Sequence, residues 1–326
     1  MSENTKSYFY HLQNIFVALD FLSYSTQALH LANELSELTC AALTCLNVLG
    51  KIPTGMREIL FPYAALGADE VEILSELRTG VEERGAKFLR DTMGEAAEHM
   101  KLKVDFARDS MAKSILHGAS EVNADIMYAG AYGTKPHTTG IIGSMAATFV
   151  AYTRLPLYLV KDPTHHGSHK KILVAFLDPA LSSQLLAWAV SFAMCYDGAD
   201  VEIVTPIADW NTCDRYGDYQ GFAPNERQLA NAVECATRRA KQAVQALSVP
   251  FAFEEHAKKL SFKQHAPVMN RASAVLNVAD QIGADLIVLP SVQPSLNVDN
   301  EIREVARNVT EYANQNCLII PEAFLK

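Results

Sequence analysis

The sequence predicts an α/β protein in which two similar units follow one another along the 326-residue chain. Short apolar runs alternate with segments of helical apolar spacing, as is typical of an open, mostly parallel sheet covered by helices on both faces. The pattern then repeats. A run ending at Asp20 corresponds to one ending at Asp178, and residues 123–129 correspond to residues 283–289, an offset of 283 − 123 = 160 positions. Such a repeat indicates two copies of one supersecondary unit.

In the first copy, apolar runs predict five strands, and each of the first four is followed by a predicted helix. The predicted strands are 15–19, 41–48, 102–107, 124–129 and 155–160, and the predicted helices are one capped by Ser23, then 69–100, 110–122 and one opening at 144. The connection between the second strand and the second helix, residues 50–67, is long. A connection of that length is commonly functional or mobile.

The second copy begins at about residue 171 and carries the matching helices and strands. Its predicted helices are 182–194, 225–247, 267–282 and 300–313, and its recognised strands are 171–177, 283–289 and 316–320. We therefore expect a first domain over residues 1–162, a linker over 163–170 and a second domain over 171–326. The linker holds three histidines, and the sequence favours a solvated segment over a metal site there.

Composition excludes several classes of function. A net charge of −9 argues against a nucleic acid or an anionic membrane surface as the main partner. The sequence predicts no signal peptide and no membrane-spanning segment. Its six cysteines form no CxxC pair and no metal-binding spacing, which predicts a reducing, cytoplasmic location.

Residues 130–144 form the most informative stretch, a glycine-rich loop between a predicted buried strand and a predicted helix. Gly130 and Gly133 stand three apart, nine residues follow, and Gly143-Ser144 opens the helix. Unpaired N–H groups and partial positive charge at a helix N-terminus suit a phosphate. The alternative is a glycine-rich turn without a ligand, since the pattern is neither a Walker loop nor a Gly-x-Gly-x-x-Gly motif.

This glycine pattern resembles the nucleotide-binding signature of the universal stress protein family, and the order of elements in each half fits that family's fold. The chain is identified as a tandem member, with two Rossmann-like domains, each a five-stranded, mostly parallel sheet with helices on both faces. The resemblance implies ligand binding at the carboxyl ends of the strands, near the switch point. It implies that Asp20 lies near the adenosine, that the backbone around Val48 contacts the adenine ring, and that the phosphates are cradled by Gly130, Gly133, Gly143 and Ser144.

Two departures from the family pattern reduce the number of side-chain donors. Tyr132 stands where the family often has His, and Ala146 stands where it commonly has Ser or Thr. Asp20 also has a structural alternative, because a carboxylate at a strand end often caps a neighbouring turn or helix.

The second copy lacks the glycine motif, so we predict a single nucleotide site in the first domain. At the constant offset, the motif positions are occupied by Pro290, Gln293, Arg303 and Glu304. A proline lacks the N–H, a residue other than glycine is strained where positive φ is required, and a glutamate repels phosphate. The resemblance implies that the second domain supplies a pairing surface through the fifth strands, 155–160 and 317–320, where that family usually pairs. An aromatic and acidic segment, residues 209–224, could alternatively line another pocket or a partner surface.

The function expected from these features is that of an ATP-binding, nucleotide-dependent stress-response or regulatory protein, with Mg²⁺ as an optional companion of the ATP. Alternatives are a nucleotide-free scaffold that binds partner proteins, and a weak ATPase. A dedicated enzyme is not expected, because Asp20-Phe-Leu-Ser-Tyr-Ser stands where an ATP pyrophosphatase would carry its Ser-Gly-Gly-x-Asp-Ser loop. We expect pairing of the two domains within the chain and a homodimer, with an undefined protein partner. The short basic run Arg238-Arg239-Ala240-Lys241 is expected to be a solvated helix face.

Overall fold

The computed structural model of the chain describes residues 12–50, 70–107, 109–133, 142–164, 169–178, 180–196, 199–207, 225–247, 262–292 and 300–325. Within those ranges the chain forms ten strands and eight α-helices. The strands are β1 Asn14–Ala18, β2 Ala42–Leu49, β3 Met100–Phe106, β4 Ile126–Gly130, β5 Leu157–Val160, β6 Lys171–Ala175, β7 Asp200–Val204, β8 Phe262–His265, β9 Leu286–Ser291 and β10 Asn316–Pro321. The helices are α1 Ser23–Thr39, α2 Glu70–Met93, α3 Met111–Glu121, α4 Ser144–Tyr152, α5 Ser182–Cys195, α6 Glu226–Gln245, α7 Arg271–Ile282 and α8 Asn300–Tyr312.

All ten strands belong to one sheet, in the order β3-β2-β1-β4-β5-β10-β9-β6-β7-β8. Counted within its own half, each set of five strands has the order 3-2-1-4-5, and the neighbours within each half are parallel. Parallel strands with helices on both faces are buried on both sides, and for this reason the strands of this protein are the continuous apolar runs of the sequence. The predicted α/β architecture with a mostly parallel sheet is confirmed.

The two halves meet at the fifth strand of each. β5 and β10 pair antiparallel, with Cys317 opposite Leu159 and Leu318 opposite Tyr158. This pairing makes the ten strands continuous, and it is the pairing of domains within the chain that the sequence predicted. Because the β5–β10 pairing uses the free edge of each fifth strand, a homodimer needs another surface. The homodimer itself stays a prediction.

A buried aromatic cluster fills the junction between the halves. Tyr128 of β4 stacks on Tyr158 of β5 with ring centroids 4.8 Å apart, and Phe192 of α5 also stacks on Tyr158 with centroids 6.1 Å apart. His169 is 1% exposed, and its Nε2 lies 3.0 Å from the Tyr158 hydroxyl. The prediction of a solvated linker is therefore wrong for His169, because the chain turns inward before β6; the other two linker histidines lie outside the described residues.

The second helix is shorter than the periodicity predicted. The predicted helix 69–100 ends at Met93, where Gly94 adopts a φ of +59° and a 3₁₀ turn, Gly94–His99, leads into β3. Glycine enters the left-handed region without the Cβ clash that other residues suffer, so it can end the helix inside a continuous apolar pattern.

Among the helices that the structure describes, none has both the length and the apolar character needed to cross a membrane.

Candidate functional site

The carboxyl ends of β1, β2 and β4 form one edge of the first half. Ala18 of β1 is level with Leu46 of β2 on one side and with Ala129 of β4 on the other. Asp20 and Val48 each follow two residues later, so the sheet register places both at this edge. The edge lies at the topological switch point, because the connections from β1 and β4 leave in opposite directions; open α/β sheets bind ligands in the resulting crevice.

Asp20 organises the turn between β1 and α1. Its Oδ1 accepts hydrogen bonds from the Leu22 N–H, at 3.0 Å, and from the Ser25 hydroxyl. The predicted cap by Ser23 is wrong, since Leu22 is the N-cap residue and its side chain makes no capping hydrogen bond. Within the described residues Asp20 Oδ2 has no hydrogen-bond partner, so that oxygen can still accept a hydrogen bond.

Gly130 is required by packing within the protein. A Cβ at Gly130 would lie 2.7 Å from Tyr24 Cβ and 3.1 Å from the backbone nitrogen of Ser25. Glycine there lets the first turn of α1 lie directly over the end of β4. At Gly133, a Cβ would meet no described atom within 4 Å, and neither glycine has a positive φ. Position 133 therefore does not use the left-handed conformation that favours glycine.

The two described ends of the glycine-rich loop are joined by a backbone hydrogen bond. The Gly143 N–H donates to the Ala131 carbonyl oxygen at 2.8 Å, so it is already occupied. α4 begins at the next residue, and the N–H groups of its first turn, at Ser144, Met145 and Ala146, have no acceptor inside the helix. These three groups are the donors that this edge offers to an anion. The middle of the loop, residues 134–141, lies outside the described residues.

A cavity of about 450 Å³ opens beside the same edge. It is lined by Phe21, Asn47, Leu49, Val81, Arg84, Gly85 and Phe88. The rings of Phe21 and Phe88 meet edge to face, with centroids 5.1 Å apart. Phe21 adopts a φ of +62°, a left-handed conformation that costs a non-glycine residue on the order of 1–3 kcal/mol. The turn that Asp20 organises thus places the Phe21 ring against the cavity, and the Phe21 backbone is in a strained conformation.

Asn47 is the one polar side chain on this cavity wall that is both buried and incompletely paired, among the residues described. Its Nδ2 donates to the Leu19 carbonyl oxygen at 2.8 Å, whereas its Oδ1 is buried without a hydrogen-bond partner. Buried polar atoms are nearly always paired, so an unpaired acceptor beside a cavity favours a donor from a ligand or a water. Sequence reasoning missed this residue. Its signal was an asparagine inside an otherwise apolar strand, next to Val48.

The opposite side of the glycine-rich loop is closed by packing. The Tyr132 ring meets the Tyr24 ring edge to face with centroids 5.2 Å apart, and Lys161 Nζ lies 6.0 Å from the Tyr132 centroid. Burial raises the pKa of Tyr132 and lowers the pKa of Lys161. Lys161 Nζ donates to the carbonyl oxygens of Thr310 and Glu311, so it is committed to the second half.

The corresponding edge of the second half is built differently. Arg303 and Glu304, the counterparts of Gly143 and Ser144, lie within α8, which begins at Asn300. α8 therefore covers the positions at which α4 leaves free N–H groups. On β7, Val204 is level with Ala175, so Pro206 occupies the register position of Val48 and has no N–H to offer. Pro290 lies in β9, and Gln293 and residues 209–224 lie outside the described residues.

The sequence model of the universal stress protein family matches residues 11–161. Residues 11–161 are thus similar to a universal stress protein domain. Nearly the whole chain also resembles solved structures. It is 14% identical to a universal stress protein from Archaeoglobus fulgidus DSM 4304, covering 95% of this chain and 99% of that chain with a TM-score of 0.62.

Two further structures extend the comparison. A putative universal stress protein from Pseudomonas aeruginosa UCBPP-PA14 is 14% identical over 97% of this chain and 96% of that chain, with a TM-score of 0.59. A universal stress protein from Archaeoglobus fulgidus, solved in complex with dAMP, is 17% identical over 47% of this chain and 97% of that chain, with a TM-score of 0.24. The two full-length likenesses show the fold alone, and the dAMP complex describes that protein. No curated protein sequence matches the chain.

Proposed function

We propose that the first half of the chain binds one adenine nucleotide, with ATP as the expected ligand, and that the protein is a nucleotide-dependent stress-response or regulatory protein of the cytoplasm. The observation that carries the proposal is the contrast between two helix starts. α4 begins at Ser144, so three of its N–H groups have no acceptor within the helix, at the sheet edge that also holds Asp20 and Val48. In the second half, α8 begins at Asn300, four residues before Glu304, the counterpart of Ser144 (304 − 300 = 4). One site per chain follows.

The residues at this edge fit the parts of a nucleotide. The phosphates are accommodated by the backbone N–H groups of Ser144 to Ala146 and by the Ser144 hydroxyl, where the helix dipole favours an anion. The base occupies the apolar cavity beside Phe21 and Phe88, next to the Val48 backbone, and its exocyclic amine donates to Asn47 Oδ1. The free Oδ2 of Asp20 accepts from a ribose hydroxyl.

The same residues support binding better than catalysis. Phosphoryl transfer needs metal-holding carboxylates, a positioned nucleophile and charge stabilisation at the transferred phosphate. Asp20 Oδ1 is committed to the turn, and the Lys161 ammonium is committed to α8. We therefore propose that hydrolysis, if it occurs, is slow, and that bound nucleotide acts by changing conformation or association with a second copy or another protein.

The proposal is tested by releasing small molecules from the purified protein, identifying them by mass spectrometry, and titrating ATP with Mg²⁺ by calorimetry. We expect one adenine nucleotide per chain. The double variant Gly143→Arg/Ser144→Glu, which copies the second half into the first, should abolish binding. The matched control Arg303→Ala/Glu304→Ala should retain it.

Three other outcomes would contradict parts of the proposal. Two nucleotides per chain would show that the second half also binds. Binding that survives Gly143→Arg/Ser144→Glu would move the site away from α4. No nucleotide and no heat of titration would favour the nucleotide-free scaffold.

A further inference from the structure

The second half has a cavity of its own, larger than that of the first half. It measures about 700 Å³ and lies at the carboxyl ends of β6 and β7, between the start of α5, one face of α6 and the start of α7. The residues that matter for its chemistry are Phe176, Thr205, Ile207, Arg239, Gln242 and Arg271. Small-molecule sites commonly occupy cavities of about 300–1,000 Å³ at this edge of an open α/β sheet.

Thr205 gives the first sign of a ligand. The β6–β7 register puts it one residue beyond Val204, which makes it the counterpart of Asn47 in the first half. Among the residues that the structure describes, its Oγ1 is buried without a hydrogen-bond partner, as Asn47 Oδ1 is. The two halves therefore each present an unpaired buried oxygen to a cavity at the same point of the fold. A hydroxyl differs from an amide carbonyl because it can also donate a hydrogen bond.

Arginines give the second sign. Arg271 Nε lies 3.3 Å from Glu301 Oε1, which is close enough for an ion pair. The geometry of this contact does not satisfy a hydrogen bond, so within the described residues the buried Nε has no hydrogen-bond partner. Arg239 lines the same cavity, and the part of the chain that the structure describes provides it with no ion pair. No carboxylate is among the described residues of the cavity wall. Guanidinium groups bind carboxylates and phosphates through two parallel N–H donors.

The three basic residues of the run on α6, Arg238, Arg239 and Lys241, are all exposed, as the sequence predicted. Of the three, Arg239 is the one that also lines this cavity. Arg238 directs a guanidinium nitrogen to Cys235 Sγ, 3.4 Å away. The neighbouring arginines thus form a matched pair, one at the cavity and one outside it.

We propose that the second half binds a small organic anion that carries a carboxylate or phosphate group on an apolar body. Arg239 and Arg271 hold the anionic group, and the Thr205 hydroxyl donates to it. Phe176, Ile207 and the alanines of α6 pack against the apolar part. This site is distinct from the nucleotide site, because Pro206 and the longer α8 remove the backbone donors that the first half offers to a nucleotide.

The test uses the full-length protein with three probes of similar size, phenyl phosphate, benzoate and uncharged benzyl alcohol, measured by calorimetry and ligand-observed NMR. The background is Gly143→Arg/Ser144→Glu, which closes the helix start of the first half to anions. We expect at least one of the two anions to bind and benzyl alcohol to bind at least tenfold more weakly. Which anion binds more tightly distinguishes a carboxylate ligand from a phosphate ligand.

Variants assign the binding to the cavity. Arg239→Met should weaken the anion about tenfold or more, since a hydrogen bond to a charged group is lost, and Arg238→Met should change it less than twofold. Thr205→Val keeps the side-chain shape and should weaken it severalfold. The proposal is overturned if neither anion binds, if benzyl alcohol binds equally well, or if Arg239→Met and Arg238→Met have the same effect. Anion binding that is present in the parent and absent from the Gly143→Arg/Ser144→Glu background would also overturn it, because the anion would then occupy the first half.

Discussion

Lys161 Nζ donates to the carbonyl oxygen of Thr310 at 2.8 Å and so connects the end of β5 in the first half to the end of α8 in the second. A cation at a helix C-terminus satisfies carbonyl groups that the helix leaves unpaired. Lys161 is 6% exposed, and burial lowers its pKa. The Lys161 ammonium is therefore removed from water at the point where it links the two halves.

We expect Lys161→Met to lower the free energy of unfolding by about 1–3 kcal/mol, because two carbonyl oxygens lose their donor while the aliphatic volume is kept. Urea unfolding measures the change. Lys170→Met removes an exposed ammonium and should change stability by less than about 0.5 kcal/mol. Equal stability of Lys161→Met and the parent protein would show that the junction does not depend on this contact.

The glycines of the loop should differ sharply in their tolerance of a methyl group. Gly130→Ala places a Cβ within 3.1 Å of backbone atoms of α1, which cannot move independently, and should cost about 1–3 kcal/mol. Gly133→Ala meets no described atom and should stay within about 0.5 kcal/mol of the parent. Thermal unfolding of the two variants without ligand measures the difference. A reversed order would contradict the close packing of α1 over β4.

Asn47 should determine which purine binds in the first half. Its unpaired Oδ1 accepts from the 6-amino group of adenine and repels the 6-oxo group of hypoxanthine, so ATP should bind more tightly than inosine triphosphate. Asn47→Ala should reduce that preference about threefold to tenfold, the value of one neutral hydrogen bond. Titration of both nucleotides measures the ratio, with Asn231→Ala on the exposed face of α6 as the control. ATP binding with an unchanged ratio would remove Asn47 from base recognition and leave the site itself intact.

The buried thiol of Cys45 should make the protein less stable in alkali. Burial raises its pKa from 9.0 to about 12, so between those values the unfolded chain has lost a proton that the folded chain keeps. The contribution is fully present below pH 9 and is lost as pH rises toward 12. By pH 10.5 the loss from this thiol is on the order of 2 kcal/mol.

Urea unfolding in the presence of a reductant at pH 8 and pH 10.5 measures this loss, and Cys45→Ala should remove it. Cys40→Ala replaces an exposed thiol and should leave the pH dependence unchanged. The lowered pKa of Lys161 makes the free energy of unfolding rise with pH below pH 10.5, which is opposite to the effect of Cys45. This contribution is the same in all the variants. An identical pH dependence in Cys45→Ala and the parent would contradict the assignment.

Much of the fold follows from the chain itself. The alternation of apolar runs with helical spacing determines an α/β sheet, and the repeat at a constant offset predicts the second half from the first. The position of the glycine loop after the fourth strand puts Gly143 and Ser144 at a helix start. These are local properties, because strand and helix periods depend on residues close together in sequence.

Only the tertiary structure decided which polar groups remain unpaired. Asn47 and Thr205 are ordinary polar residues in sequence, and their importance depends on the sheet register and on the helices that cover them. The hydrogen bonds from Lys161 to α8 likewise join residues about 150 positions apart. The burial of His169 depends on its packing against Tyr158 and Phe192, which belong to other elements. Hydrogen bonding between distant segments has no periodic signature, so the sequence predicted a site at the carboxyl edge of the first half but left the second cavity undetected.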